Sequence, residues 1–384
     1  MELRRNRPYP TLSTMNRQSP AQLCIKNGQV ILKDAIVKGV SILIDNGKIK
    51  NIGKASPSGN TKTIDAKGLF VSPGFIDSHI HGNPAKILEH EIRYGTTSIV
   101  PAISCSSSEN TVRSVNLIRR FKEADALGSS VLGLRLEGPY INKERAGAQN
   151  KRFIKTPSGA NLHAIIKKCG GLLKIMTIAP ELYGAHELIR ILCDNKIIAS
   201  IGHSDANYRE GIEAIDVGAT HATHLFNGMR RMADNDVGVV GACLVDKRVA
   251  VEIIFDLIHV KTTLLSLALT MKKKEKIILI TDSVRAEQYG CKPKGGVYRL
   301  KDGTIAGSCL TMIKAIKNAV QSCGVELKDA VAFAAINPAR LLGIDAVKGS
   351  IAPGKDADIT IFDKDFDVKM TIVRGRIAYL KRGF

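Results

Sequence analysis

Tryptophan is absent and aromatic residues make up only 5% of the 384 positions. The stacking platforms on which single-stranded nucleic acids rest are therefore poorly supplied. No apolar run reaches the roughly 20 residues of a membrane span, and the longest, around residues 249–260 and 276–284, are interrupted by charge. The eight cysteines, at 24, 105, 169, 193, 243, 291, 309 and 323, form no CxxC and no tight cluster. Most lie in apolar surroundings and read as free thiols, as expected for a cytoplasmic protein, not as a disulfide framework. Acidic residues are outnumbered 36 to 56 by lysine and arginine, giving a net charge of +20. Those cations are scattered, so the charge reads as a basic surface suited to a small anionic substrate, with no nucleic acid and no membrane as partner. Residues 1–22 are basic, without an apolar stretch, and are expected to form a disordered tail.

What the chain does contain is hydrophobic residue enough, 44%, for one large domain and a small one. Short apolar segments with Asn27-Gly28 and Asn46-Gly47 predict two hairpins before residue 70. Similar segments at 357–363 and 370–379 predict that both termini, residues 23–70 and 350–384, build one small β-sandwich. Between them, residues 71–349 alternate β-rich runs with amphipathic segments. Candidate strands cover 69–81, 96–103, 131–139, 172–181, 196–205, 219–227, 249–260 and 276–284, with helices such as 111–126, 186–195 and 262–273. Eight such repeats predict a (β/α)8 TIM-type barrel. A doubly wound open sheet is the alternative, but no GxGxxG follows the first strand. A hairpin over 296–306 and helices over 310–322 and 327–342 complete the barrel region.

The first barrel strand ends in His79-Ile80-His81. Residues two apart on a strand share a face, so both imidazoles can converge on one ion, although two polar residues at a strand end would read the same way. Glu137, His203, His224, His259 and Asp282 stand at the ends of strands three, five, six, seven and eight. Each alone is more often a cap or a hydrogen-bonded core residue. Seven such residues at the end of a barrel where active sites are built point to a mono- or binuclear metal site. His90, His163 and His186 are expected on the surface, and His221 in the barrel or its wall.

These residues sit in longer motifs: Pro73-Gly74-Phe75-Ile76-Asp77-Ser78-His79-Ile80-His81-Gly82, Leu136-Glu137-Gly138-Pro139-Tyr140, Gly202-His203-Ser204-Asp205, Thr223-His224-Leu225-Phe226-Asn227-Gly228-Met229 and Thr281-Asp282. Taken in that order, the chain from about residue 22 onward resembles the N-acetylglucosamine-6-phosphate deacetylases of the amidohydrolase superfamily. The resemblance implies a metal-dependent amidohydrolase acting on a phosphorylated amino sugar, with one or two divalent ions (Zn or Fe) per subunit and a homodimeric assembly. It implies Glu137, His203 and His224 as ligands of one ion. His79 and His81, with Glu137 and Asp282, are the implied ligands of a second. It also implies Asp282 as catalytic acid–base, and Ala148, Gln149, Asn227, Gly228, His259, Ile305 and Ala306 as substrate contacts. The fourth strand ends in Ala179-Pro180-Glu181, without the lysine that bridges the metals of dihydroorotases and hydantoinases.

Three departures stand out. Residues 82–85 are short where the family has a glycine-rich loop. Asn235 replaces an arginine that reaches the phosphate, with Arg230 and Arg231 nearby. Gln149 occupies a position where some members carry histidine. The first two bear on the 6-phosphate and leave another N-acyl amino sugar or small amide open. A catalytically inactive amidohydrolase scaffold used for binding is the non-enzymatic alternative.

Overall fold

The computed structural model describes residues 22–54, 59, 61–124, 130–284 and 293–384. The expected tail lies outside these apart from Gln22, as do Cys291 and the last residues of the helix expected to reach 126. The seven described cysteines are free.

Eight parallel strands form the barrel sheet in chain order: β1 (Phe75–His81), β2 (Thr96–Ser104), β3 (Leu134–Glu137), β4 (Leu173–Ile178), β5 (Ile198–Ile201), β6 (His221–Ala222), β7 (Ala250–Ile254) and β8 (Ile277–Ile280). Every residue of β1, β3, β7 and β8 is buried, as parallel strands covered on both faces require. The ring is closed just past β8, where Ser283 bridges Ile80. There Asp282 N–H donates to the His79 carbonyl and His81 N–H to the Ser283 carbonyl, both at 2.9 Å. The helices between strands are α1 (Pro84–Glu91), α2 (Ser108–Glu123), α3 (Gly159–Cys169), α4 (Ala185–Asp194), α5 (Tyr208–Val217), α6 (Gly238–Val245) and α7 (Thr262–Met271); α8 (Met312–Cys323) follows β8. Their starts are legible chemically: Asn83, Ser107, Ser158 and Asn207 each accept a backbone N–H at a helix N-terminus. Because Asn83 already caps α1, only Gly82 and Asn83 separate β1 from its helix, so the connection after the two histidines is as short as expected.

The termini build a second unit of two sheets. One has the strand order Lys48–Gly53, Ser41–Asp45, Leu23–Lys26, Lys62–Asp65. The other has the order Arg376–Leu380, Val368–Val373, Ile359–Phe362, Phe70–Pro73, Gln29–Ile31, Ile36–Val37. Leu23, Ile42, Ile44 and Ile64 from the first pack with Val71, Ile359, Ile361 and Ile372 from the second in one apolar core. The hairpin at Asn46-Gly47 forms as expected, both residues having positive φ. The one at Asn27-Gly28 does not. Only Asn27 has positive φ, and the flanking strands join different sheets, so this turn carries the chain across the sandwich.

The expected continuous strand over 69–81 is also two strands. Phe70–Pro73 belongs to the sandwich, and Gly74 separates it from β1. A Cβ on Gly74 would lie 2.3 Å from Thr97 Cγ2 and 2.4 Å from its hydroxyl. Gly74→Ala is therefore expected to destabilise the protein by about 1–3 kcal/mol, the usual range for overpacking, as read from a lowered urea midpoint at unchanged slope.

Candidate metal centre

Charge and sterics select where the polar side chains go. Apolar residues of the strands face the helices, while His79, His81 and Glu137 are carried at the C-terminal ends of β1 and β3. The strands are shorter than their apolar runs suggest, so His203, His224 and Asp282 lie two residues beyond β5, β6 and β8. Each has a left-handed backbone (φ +48°, +30° and +46°), which turns the chain off the ladder. Such conformations cost non-glycine residues about 1–3 kcal/mol each and persist where surrounding structure holds them.

The six side chains converge. Glu137 Oε1 lies 3.0 Å from His203 Nε2, 2.9 Å from His224 Nε2 and 3.6 Å from His79 Nε2. Its Oε2 faces His81 Nε2 at 3.4 Å and accepts from Gln149 Nε2 at 2.5 Å. Asp282 Oδ1 is 3.4 Å from His79 Nε2 and 3.2 Å from His81 Nε2. Two ligand groups result, sharing a wall: Glu137, His203 and His224; and His79, His81 and Asp282. Asp282 is the most exposed of the six, at 16% of its side chain, and so faces the barrel mouth.

The outer nitrogens are mostly committed elsewhere. His203 Nδ1 donates to the Arg145 carbonyl at 2.8 Å, His79 Nδ1 to Glu252 at 3.2 Å, and His81 Nδ1 meets the Ser104 hydroxyl at 3.2 Å. That leaves Nε2 as the inward-facing atom, and a neutral imidazole held this way presents a lone pair. Two such nitrogens, of His203 and His224, approach to 3.2 Å while both face one carboxylate oxygen, an arrangement that calls for positive charge between them. The buried Nδ1 of His224 has no partner among the described residues. With only protons available, burial and Arg135 push His79 down but Asp282 and Glu137 outweigh them and raise it to about 10. Burial would raise Glu137 and Asp282, yet the imidazoles around them hold both carboxyls well below the usual range. A divalent cation satisfies the same donors at one point and displaces those protons, so the residues fit a metal.

The remaining predicted residues are distributed around this centre. Gln149 touches it directly, and its Oε1 accepts from Cys105 N–H at 2.7 Å. Ala148 packs beside Ala306, Val284 and Tyr298 in a small apolar patch. Ile305 and Ala306 begin the strand Ile305–Ser308, which is tied to the end of β8 through Ser308 N–H and the Asp282 carbonyl at 3.0 Å. Asn227 and Gly228 line the loop after His224, and a Cβ on Gly228 would stand 2.9 Å from His203 Nδ1. His259 is not at the end of β7 but five residues beyond it. Asp256 fixes it there, accepting from its Nδ1 at 2.5 Å and its N–H at 2.9 Å. Arg230 lies 3.4 Å from Asp236, and Asn235 is exposed. His221 is fully buried and bonded to Ser200, pointing into the barrel interior as expected. Glu181 contributes no ligand; it ties the chain after β5, accepting from Ser204 Oγ at 2.7 Å and Asp205 N–H at 2.6 Å.

Sequence reading missed Arg135 and Glu252. Both are fully buried and paired with each other beneath the cluster. The signal was present: Arg135 is two residues before Glu137, on the same face, and Glu252 interrupts an apolar strand.

The profile of the amidohydrolase family matches residues 70–378. The chain is 34% identical to the N-acetylglucosamine-6-phosphate deacetylase of Bacillus subtilis (strain 168) across 94% of its own length and 98% of the relative's. It is 32% identical to an N-acetylgalactosamine-6-phosphate deacetylase of Escherichia coli O157:H7, covering 80% of this chain and 88% of the other. The crystal structure of N-acetylglucosamine-6-phosphate deacetylase from Pasteurella multocida superposes with a TM-score of 0.86 at 28% identity, over 93% of this chain and 99% of that one.

Proposed function

The chain belongs to the amidohydrolase family, and on that footing we propose that it hydrolyses the acetamide of N-acetylglucosamine 6-phosphate to glucosamine 6-phosphate and acetate. The observation that carries this is the complete, convergent set of four imidazoles and two carboxylates at the barrel mouth, with Asp282 the most exposed member. A scaffold kept only for binding has no need of that set.

Glu137, His203 and His224 would hold one divalent ion, Zn or Fe, and His79, His81, Glu137 and Asp282 a second. When bound, such an ion supplies Lewis-acid polarisation of the carbonyl and a more acidic water. The chain's own residues do the rest. Asp282 takes a proton from the attacking water at Oδ and returns it to the leaving amine. Gln149 holds the second oxygen of Glu137 in place. His259, its Nδ1 committed to Asp256, keeps Nε2 for the sugar. Ala148 and Ala306 offer an apolar contact and Gly228 a backbone N–H for an anion, whereas the Asn227 N–H is committed to the His224 carbonyl at 3.0 Å and shapes that turn. A homodimer and a cytoplasmic setting belong to the same reading, on the resemblance of the motifs. Among the described residues no helix is long and apolar enough to cross a membrane.

Acetate release separates the readings. The phosphorylated substrate is expected to exceed unphosphorylated N-acetylglucosamine by at least about tenfold in kcat/KM, since one hydrogen bond to a charged group is worth about 1.5–3 kcal/mol. Equal rates would sink the phosphate requirement while leaving deacetylation intact. A preference for N-acetylgalactosamine 6-phosphate would move the assignment to that epimer.

A further inference from the structure

One layer below the six residues, the barrel interior holds a fully buried ion pair that the chemistry above does not use. Arg135 on β3 donates through Nη1 to Glu252 Oε1 on β7. It also donates to the Ser78 carbonyl and to Thr223 Oγ1, both at 3.1 Å. Glu252 Oε2 receives His79 Nδ1 at 3.2 Å. Burial alone is weak evidence that such a pair serves stability, because apolar replacements of similar volume are often neutral or stabilising.

We propose that Arg135 and Glu252 are positioning residues for the second ion, acting through His79. The inference rests on the metal reading given above. Glu252 fixes the proton of His79 on Nδ1, so that Nε2 presents its lone pair toward Asp282 and Glu137. Arg135 holds the Glu252 carboxylate in place through the Nη1–Oε1 bond and is itself fixed by the Ser78 carbonyl and Thr223 Oγ1. The other ligands are oriented differently. A backbone carbonyl holds His203, a hydroxyl meets His81, and Glu252 reaches His224 only at its backbone N–H, at 3.4 Å. Loss of the pair therefore falls on the position that includes His79, and the position built by Glu137, His203 and His224 is spared. On β3 the two charges alternate with Leu134 and Leu136. One strand thus carries the carboxylate shared by both ions and, two residues earlier, the cation that anchors the orienting carboxylate.

The test is Co(II) titration of the full-length protein and of two double variants, followed by metal analysis and visible absorption. Wild type is expected to take two ions per chain. Arg135→Met with Glu252→Met removes both charges together, so neither is left buried alone. It is expected to bind the first ion unchanged and the second about 10–100-fold more weakly, with the second ion's d–d absorption lost at concentrations that saturate the first. Arg135→Met with Glu252→Gln keeps a neutral acceptor for His79 and is expected to recover part of that affinity; it carries the comparison if the Met pair does not fold. Unchanged binding of both ions overturns the proposal. Weakening of both ions to the same degree together with a lowered Tm also overturns it, since that marks a purely structural role. One ion in wild type overturns it too and leaves deacetylation standing, whereas no ion and no acetate release removes the proposed function itself.

Discussion

Asp282→Asn is expected to lower kcat for acetate release by about 10²–10⁴-fold, the range over which a positioned acid–base group contributes. Asparagine preserves shape and keeps an oxygen toward His79 and His81, 3.4 and 3.2 Å away in the parent. It cannot accept and return a proton. Metal at the Glu137, His203 and His224 position should stay within error of wild type by elemental analysis, because Asp282 is not in that group. KM should change little. A variant with full activity would end the acid–base assignment, and one that has lost all metal would make Asp282 a ligand and nothing more.

Glu137→Gln should be more severe. Among the described residues Glu137 is the one group in contact with all four imidazoles, through Oε1 to three and through Oε2 to the fourth. An amide in its place has a single acceptor. If that oxygen stays toward Gln149, the NH2 donates to His203 and His224 and fills the space an ion would take. Bound metal is expected to fall below about one tenth of an equivalent at either position. Turnover should drop at least about 10³-fold, since metal polarisation is worth several kcal/mol. The protein should still fold, because the substitution removes a buried charge without changing volume; an unchanged Tm would separate this result from unfolding. Retention of a full equivalent of metal would show that the carboxylate is not a shared ligand.

The barrel and the six clustered residues were readable from sequence for a physical reason. Parallel strands are buried on both faces, so a histidine or glutamate closing an apolar run has few explanations, and the same pattern recurs along the chain. Arg135 and Glu252 escaped notice because a single charge inside an apolar strand looks like an outward-facing residue until the partner strand is known; their sequence separation is 117 residues. Asn27-Gly28 misled for the opposite reason. Its turn signature is local and genuine, but Gln29–Ile31 pairs with Phe70–Pro73 in the other sheet, where a Cβ on Gly28 would stand 2.5 Å from Val71 Cγ2. His259 was assigned to a strand end because the apolar run continues through Val260, whereas Asp256 accepts the backbone N–H groups of Ile258 and His259 and ends the ladder early.

The way the barrel closes has a consequence for how the protein is made. Phe70–Pro73, which leads directly into β1, is paired on one side with Ile359–Phe362, near the other end of the chain. β1 is itself sealed by Ser283, some 200 residues later. During synthesis the two histidines therefore emerge early and wait, with their sandwich neighbour unmade and the edge of their sheet open. Pairings of such long sequence separation form slowly and leave unpaired strand edges exposed meanwhile. A chain cut short before residue 359 lacks the strand that completes the sheet beside Phe70–Pro73. Such fragments should accumulate as aggregates, because they leave the strand that leads into β1 with an unpaired edge.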